Sequence, residues 1–489
     1  VLVPSGNWGG KLWKKCKGRF GSAYPSGACP VQFMAFNLGQ AGIYFGAHDP
    51  GARAKSVRLS ANQDATFATY AEDMGVPGSD VAAPFPVVLS AYRGNWWQAA
   101  RRYRQWATQQ AWTKKGWIRD RKDFPQQLED LGMWWIASGG ADTVKPFMLE
   151  ADERSPLSIG LHWYNWHKIP FDHTYPEYFP TKPGVPEATR ELVSKGQMIM
   201  PYINGRLWDR DIPSFAAQGM AGSCKEPSME PYIEVYGSGR RLSPMCPTTK
   251  VWQDKVGEIC HRLMTEVGGN SIYLDQIGAA RPRICFDPSH GHPLGGGRHW
   301  VDAYRTMMTP IKAEAAQRKC TLTTENTAEP YMDTIDAFLA WSPRYQEDVP
   351  VLPAVYTGYT IYFTSPQDPK DNLAAFAMAQ GRDFLWGCQL GWNSNWLLAE
   401  ANREKLDFMI RASQLRLAAQ KFMVHGQLLD EIRPTEPVPS MTVTWNRRNP
   451  HPATLPAAQG TIWRSLDGEL AAVFFNAADE PRELAWQVK

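Results

Sequence analysis

Between about residues 124 and 420, short apolar runs alternate with longer helix-like segments, and this rhythm constrains the fold more than any other feature of the chain. Strands separated by helices build parallel sheets, because each return journey is made by the helix. Eight runs read as strands: "GMWWIAS" from Gly132, "LSIGLHWYNW" from Leu157, "QMIMPYING" from Gln197, "NSIYLDQIG" from Asn270, "KCTLTTENT" from Lys319, "IDAFLAWS" from Ile335, "AVYTGYTIYF" from Ala354 and "RDFLWGCQLGW" from Arg382. Helical patterns fall at 186–194, 249–266, 299–317, 371–380 and 397–420. Eight such units predict a closed (β/α)8 barrel of the TIM type rather than an open sheet.

The flanks follow a different pattern. Residues 1 to about 90 set "AGIYFGAHD" and "FPVVLSAY" among Gly-, Pro- and Ser-rich turns, which predicts antiparallel structure, part of a β-sandwich. "NWWQAARRYRQWATQQAW" reads as an amphipathic linking helix. Near the other end, "TIWRSLDGELAAVFFN" alternates apolar and polar residues about an Asp-Gly turn, a hairpin signal for a small β domain. The expected divisions are 1–123, 124–420 and 421–489.

Charge excludes some partners. Lys plus Arg (52) nearly balances Asp plus Glu (49), so neither a nucleic-acid stripe nor a polybasic membrane patch is expected. No run of eighteen apolar residues occurs, so no membrane-spanning helix is expected. The sequence opens at Val1 with no leader pattern, and both ends read as cut, so no compartment is assigned. Its eight cysteines show no CxxC and no Cys/His ligand spacing, which argues against a structural zinc site. Cys16 with Cys29, or Cys224 with Cys246, are the pairs able to bridge loops in an oxidising compartment; free thiols are the alternative.

Within the barrel pattern, "SIYLD" ends an apolar strand on Asp275, and "TLTTE" ends the next on Glu325. Polar residues at the carboxyl ends of barrel strands face the active-site mouth, and adjacent strands lie roughly 4.8 Å apart, so the two carboxyls can meet. Such a pair suits glycoside hydrolysis, where an ionised aspartate attacks the anomeric carbon while a protonated glutamic acid serves the leaving oxygen. A helix cap or a rim salt bridge is the competing role for either acid.

Aromatic and polar residues near the other strand ends fit a sugar. Trp163, Trp166, Trp208, Trp341, Trp386 and Trp392 offer flat faces for stacking, or else pack the core. His162, Asn165, Tyr202, Asn204, Asp209, Arg344 and Gln389 offer donors and acceptors for hydroxyl groups, with structural hydrogen bonding as the alternative for each. The acids and arginines of "NGRLWDRD" can also pair with one another.

"GIYFGAHDPGARAK", "PFPVVLSAYRGNWWQAARRYRQWA", "PYINGRLWD", "IYLDQIG" and "TTENTAEP" resemble bacterial glycoside hydrolases related to endo-α-N-acetylgalactosaminidases and α-N-acetylgalactosaminidases, over about residues 40–420. The resemblance implies a β-sandwich, a catalytic barrel and a following β domain. It also implies a retaining enzyme acting on an α-linked sugar, with Asp275 as nucleophile and Glu325 as acid/base. The chain begins inside the sandwich and lacks the long carbohydrate-binding extensions of the mucin-degrading members, which argues against endo-action.

Rival readings are an inverting glycosidase with Asp275 as base, and a non-catalytic carbohydrate-binding barrel. Glu329, or Glu347 with Asp348, could replace Glu325 as acid. His162, His167 and His173 lie close in sequence but lack a further ligand at recognisable spacing, so no metal and no cofactor are expected. The segment 289–299, "SHGHPLGGGRH", reads as a mobile loop over the site rather than a metal or phosphate motif. The partner expected is a carbohydrate; the sequence assigns neither the sugar nor an oligomeric state.

Overall fold

The protein is described by a computed structural model covering residues 1–489 apart from 15–18, 61, 63, 75, 79, 81, 83, 342–343, 365–366, 482, 484 and 487–489. Its centre is an eight-stranded parallel sheet whose strands neighbour one another in chain order. These are β1 (Met133–Ser138), β2 (Ile159–Tyr164), β3 (Met198–Asn204), β4 (Ser271–Asp275), β5 (Thr321–Glu325), β6 (Ala337–Ala340), β7 (Ile361–Thr364) and β8 (Leu390–Asn393). β8 pairs back onto β1. A parallel bridge from Phe363 to Gln389 joins the remaining edges, so the cylinder closes. Closure leaves no unpaired edge, and the strands are buried on both faces. Their sequences are accordingly mostly apolar until the last residues, β5 with its buried threonines being the exception. Trp134 stacks on Phe363 at 4.8 Å across the interior.

Helices Ala141–Arg154, Val185–Ser194, Lys250–Arg262, His299–Gln317, Leu373–Leu385 and Arg403–Ala418 cover the outside. The ring has a gap after β5, where only the short turn Glu329–Tyr331 precedes β6. The linking helix Trp96–Ala107 fills it. Asn95 caps that helix by accepting from the Trp97 amide at 3.0 Å, and the Arg104 guanidinium donates to the Val355 carbonyl of the short helix Val351–Tyr356.

Two expected strands come later than the sequence suggested. The first half of "AVYTGYTIYF" belongs to the helix Val351–Tyr356, and "RDFL" completes the helix Leu373–Leu385. Both stretches are buried all round, and an apolar run without periodicity cannot distinguish a buried helix from a strand.

The amino-terminal flank is antiparallel, as expected. One sheet runs Gly9–Leu12, Leu2–Val3, Phe33–Asn37, Ala41–Ala47 and Val87–Arg93; a second contains Phe20–Tyr24, Lys55–Leu59 and Ala65–Thr69. The first sheet gains an outer strand from within the barrel sequence, Asp348–Pro350, which pairs with Gly9–Leu12. At the carboxyl end, Ala458–Arg464 and Leu470–Asn476 form the hairpin about Asp467 and Gly468. Ser440–Trp445 pairs with His451–Pro456, and the turn between them reaches the barrel mouth. Among the described helices, none is long and apolar enough to cross a membrane.

Candidate active site

The barrel register decides where the acids lie. Tyr273 pairs with Thr323 on the neighbouring parallel strands β4 and β5, so Asp275 and Glu325, two residues further along each, stand at one height. Both are only partly exposed, at the carboxyl end of the barrel. The next residues, Gln276 and Asn326, take φ of 68° and 50°, as does Asn165 after β2 with 54°. Non-glycine residues rarely adopt this left-handed conformation; here it turns the chain sharply at the mouth and leaves the strand-end side chains facing inward.

The two carboxyls are hydrogen-bonded to each other, with Glu325 as the donor. Asp275 also accepts from the Tyr202 hydroxyl at 2.8 Å and from the Asn204 amide at 3.3 Å, both on β3. Burial raises the Asp275 carboxyl to about 6, against the pull of the hydrogen bonds from Glu325 and Tyr202. Burial, followed by the charge of Asp275, holds Glu325 well above the ordinary carboxylic range, with Arg448 pulling weakly the other way. The pair therefore titrates as a unit, with Glu325 holding its proton more tightly than Asp275.

An aromatic floor lies beneath. Tyr164 stacks on Tyr202 at 4.8 Å, and Tyr202 on Tyr273 at 5.9 Å. Beside it opens a cleft of about 660 Å³ lined by Ser138, Tyr164, Asn165, Phe171, Trp341 and Trp392, with Arg447 at its edge. Arg447 and its neighbour Arg448 descend from the carboxyl-terminal turn; Arg448 lies 4.1 Å over the Trp341 ring.

A family model described as Domain of unknown function (DUF6259) matches residues 81–366, more than half of the chain. The chain belongs to the DUF6259 family. It is similar to a Bacteroides thetaiotaomicron protein named "Putative glycoside hydrolase", 29% identical over 96% of this chain and 70% of that one. A Monosiga brevicollis protein named "Putative glycoside hydrolase 22789" is 30% identical over 93% of this chain and 44% of its own length. Among solved structures, the α-N-acetylgalactosaminidase NagBb of Bifidobacterium bifidum, in its Gal-NHAc-DNJ complex, superposes with a TM-score of 0.71 at 12% identity, covering 98% of this chain and 79% of that one. An α-galactosidase from Thermus thermophilus gives 0.53 at 12%, over 84% and 91%. At such identity the likeness establishes the barrel fold, and with the named relatives it supports the glycoside hydrolase that the sequence led us to expect.

The DUF6259 chain sorts the residues singled out from sequence into three groups. Asp275, Glu325, Tyr202 and Asn204 converge, and Asn165, Trp341 and Trp392 line the adjoining cleft. His162 lies one layer deeper, fully buried against Tyr273 at 4.1 Å; its Nδ1 accepts from Trp392 Nε1 at 2.9 Å, and burial keeps the ring neutral. The rest stand elsewhere. Trp163, on the outward face of β2, donates to the Gly139 carbonyl, and Trp166 donates to the Tyr202 carbonyl from behind the mouth. Trp208 packs on Trp252, while Asp209 is buried in an ion pair with Arg240 rather than with the arginines of its own segment. Arg344 pairs with buried Asp383. The displaced eighth strand explains the last two: Trp386 ends a helix against Trp8, and Gln389 sits at the opposite end of the barrel, accepting from Trp134 Nε1 at 2.8 Å.

The rival acids also lie apart from the pair. Glu329 is enclosed by tyrosines behind the barrel, and Asp348 belongs to the strand that joins the amino-terminal sheet, with Glu347 just before it. Sequence reasoning passed over Tyr164, Phe171, Tyr273, Arg447 and Arg448. The tyrosines belong to quoted strands and could have been taken from their inward parity with His162 and Asp275; the arginines occupy a turn that carries no such signal.

Cys224 and Cys246 are free, buried thiols, and Cys16 lies outside the described residues. The segment 289–299 is fastened rather than open: His290 and His292 are buried, and Gly295 pairs with both Glu72 and Cys285.

Proposed function

We propose that the chain is a retaining glycoside hydrolase that cleaves an α-glycosidic bond by double displacement, with Asp275 as nucleophile and Glu325 as general acid and base. The observation that carries this is the directly hydrogen-bonded pair of carboxyls at one height of the barrel mouth; burial and the Asp275 charge raise Glu325, which suits it to hold the proton. Two carboxyls in contact are nearer to the roughly 5–5.5 Å of retaining enzymes than to the 6.5–9.5 Å of inverting ones, which need room for a water between acid and base.

In this mechanism Glu325 gives its proton to the glycosidic oxygen as that bond breaks, while the Asp275 carboxylate forms an ester bond to the anomeric carbon. Tyr202 and Asn204 hold the attacking carboxylate in place from β3. The departing alcohol leaves Glu325 ionised. Glu325 then takes a proton from water as the oxygen of that water displaces Asp275, restoring both side chains. Charge developing on the sugar is compensated by Asp275, and the sugar face rests against the aromatic cleft.

The solved α-glycosidases of this shape support an α-linked substrate, and galacto-configured sugars are the first to test. The experiment is turnover of a panel of chromogenic α- and β-glycosides with the first-formed product anomer followed by NMR. Hydrolysis of an α-glycoside with release of the α-anomer is expected. Release of the β-anomer would make Asp275 a base and not a nucleophile; the absence of turnover on any glycoside would leave a sugar-binding barrel.

A further inference from the structure

The loops leaving β3 and β4 bring four metal-ligating side chains together from segments distant in sequence. Cys246 follows the strand Arg241–Pro244 in the β3 loop, while Cys285, His290 and His292 belong to the β4 loop. Their donor atoms all lie within 4.8 Å of one another, and all four residues are buried. A tetrahedral zinc with bonds of about 2.3 Å to sulfur and 2.0 Å to nitrogen sets its donors about 3.3–3.8 Å apart. The Cys285 sulfur and His290 Nδ1 already stand at 3.4 Å.

Each ring is held with one nitrogen turned toward the cluster. His290 Nε2 lies 2.8 Å from the Ala221 carbonyl, and His292 Nδ1 lies 2.8 Å from the Pro293 carbonyl. A carbonyl can only accept, so each of these nitrogens carries a proton, and the free lone pairs are on His290 Nδ1 and His292 Nε2. His292 Nε2 is buried without any hydrogen-bond partner among the described residues, and a buried acceptor left unpaired is destabilising. Fixing the tautomer through a backbone carbonyl is how metal-bound imidazoles are oriented. The Lys225 amide in turn donates to the Cys285 sulfur at 3.5 Å, as suits a thiolate.

We propose that Cys246, Cys285, His290 and His292 form a structural zinc site that clips the β3 loop to the β4 loop. Two thiolates and two imidazoles in a closed tetrahedral set select zinc over the hard cations, and four protein ligands leave no open position for substrate. Cys224, whose thiol adjoins both sulfurs, stands outside this set as a neighbour. The clip lies in line with the proposed catalytic machinery. Two residues before Cys285, Arg283 pairs with Glu234, which pairs with Arg206; Arg206 reaches Gln276, next to Asp275, at 3.1 Å. Zinc would therefore fix the loop that carries this chain of contacts.

The full chain, purified without a metal-affinity tag, should contain about one zinc per molecule by elemental mass spectrometry. Cobalt exchanged into the site should give the intense visible bands and thiolate charge-transfer absorption of tetrahedral coordination. Cys285→Ser and His292→Ala should lose the metal, whereas Cys29→Ser, a buried thiol elsewhere, should retain it. Should those variants fail to fold, titrating the unaltered protein with a mercurial should release one zinc into a colorimetric chelator. The proposal is overturned if the native protein neither contains zinc nor takes up an equivalent when it is supplied. It is equally overturned by a disulfide between any two of Cys224, Cys246 and Cys285, or by metal retention in both ligand variants. None of these readouts depends on glycosidase activity.

Discussion

Glu325 and Glu329 lie four residues apart, both are withdrawn from solvent, and both hold their protons beyond the usual carboxylic range, yet the structure treats them oppositely. Glu325 faces the barrel mouth and has a second carboxyl as its hydrogen-bond partner. Glu329 is buried where the amino-terminal sheets meet the barrel, with a donor at every approach: Tyr24 at 2.8 Å, Tyr103 at 2.7 Å, Gln32 at 3.2 Å and Tyr356 at 2.5 Å. Burial raises it to about 7 despite those four donors. A perturbed carboxyl is thus no mark of catalysis by itself. What distinguishes the two is access and the Asp275 charge beside Glu325, which makes ionising Glu325 costly, a cost in stability of the kind reactive sites carry.

The sharpest way to break this contrast is substitution at the pair. Asp275→Ala should lower kcat on an α-glycoside by about 10⁴-fold or more, and Glu325→Gln by about 10²–10⁴-fold, with the smaller loss on substrates whose leaving group needs no proton. Holding a proton on Glu325 well above the range of the unfolded carboxyl costs stability at alkaline pH, and a neutral amide does not carry that cost, so Glu325→Gln should raise Tm at pH 8. A variant that loses both activity and stability would make Glu325 a structural group like its neighbour.

Glu329 should respond the other way. Its carboxyl is raised in the folded state, so the folded protein binds a proton there more tightly than the unfolded chain does. The resulting stability is fully present below about pH 4.5 and is lost as pH rises through about 7. A shift of that size corresponds to about 3 kcal/mol. Glu329→Gln should flatten the fall of denaturant-measured stability across this window while leaving kcat within about twofold. Loss of kcat in a folded Glu329→Gln protein would return it to the list of acids.

The pH–rate profile separates the two acids without mutation. Activity requires Asp275 ionised and Glu325 protonated, so kcat/KM should rise as pH passes about 6 and fall again only on the alkaline side, where Glu325 ionises. A profile flat from pH 5 to pH 8 would show that titration of the pair does not gate the reaction.

How much of this was legible in the chain follows from the range of each interaction. "SIYLD" and "TLTTE" announce strands by local periodicity and place their acids at strand ends, so the barrel and the pair could be found without coordinates. Gln389 and Trp386 were misplaced because "RDFL" is buried as a helix and reads equally well as a strand. Asp209 was read as a substrate-binding residue, with pairing to the arginines of its own segment as the alternative; its partner is Arg240, some thirty residues on and outside the range of any local pattern. The Cys246 and Cys285 to His292 cluster was invisible for the same reason: its spacing spans two loops, and ligand motifs are recognisable only within one. Arg447 and Arg448 reach the mouth through the packing of a turn, which no periodicity encodes.

The smallest expected effect carries the same distinction to the aromatic residues. Trp341 is half-buried at the cleft, with one face beneath the Arg448 guanidinium, whereas Trp163 is fully buried on the outward side of β2 with its indole nitrogen bound to Gly139. A ring stacked on a sugar contributes about 1 kcal/mol, so Trp341→Ala should raise KM about fivefold with little change in kcat or Tm. Trp163→Phe opens a cavity and frees a buried carbonyl, so it should lower Tm and leave KM unchanged. If instead Trp163→Phe moves KM at constant Tm, the outward face of β2 would be part of the sugar site, and exposure at the mouth would no longer separate the residues that meet substrate from those that hold the barrel.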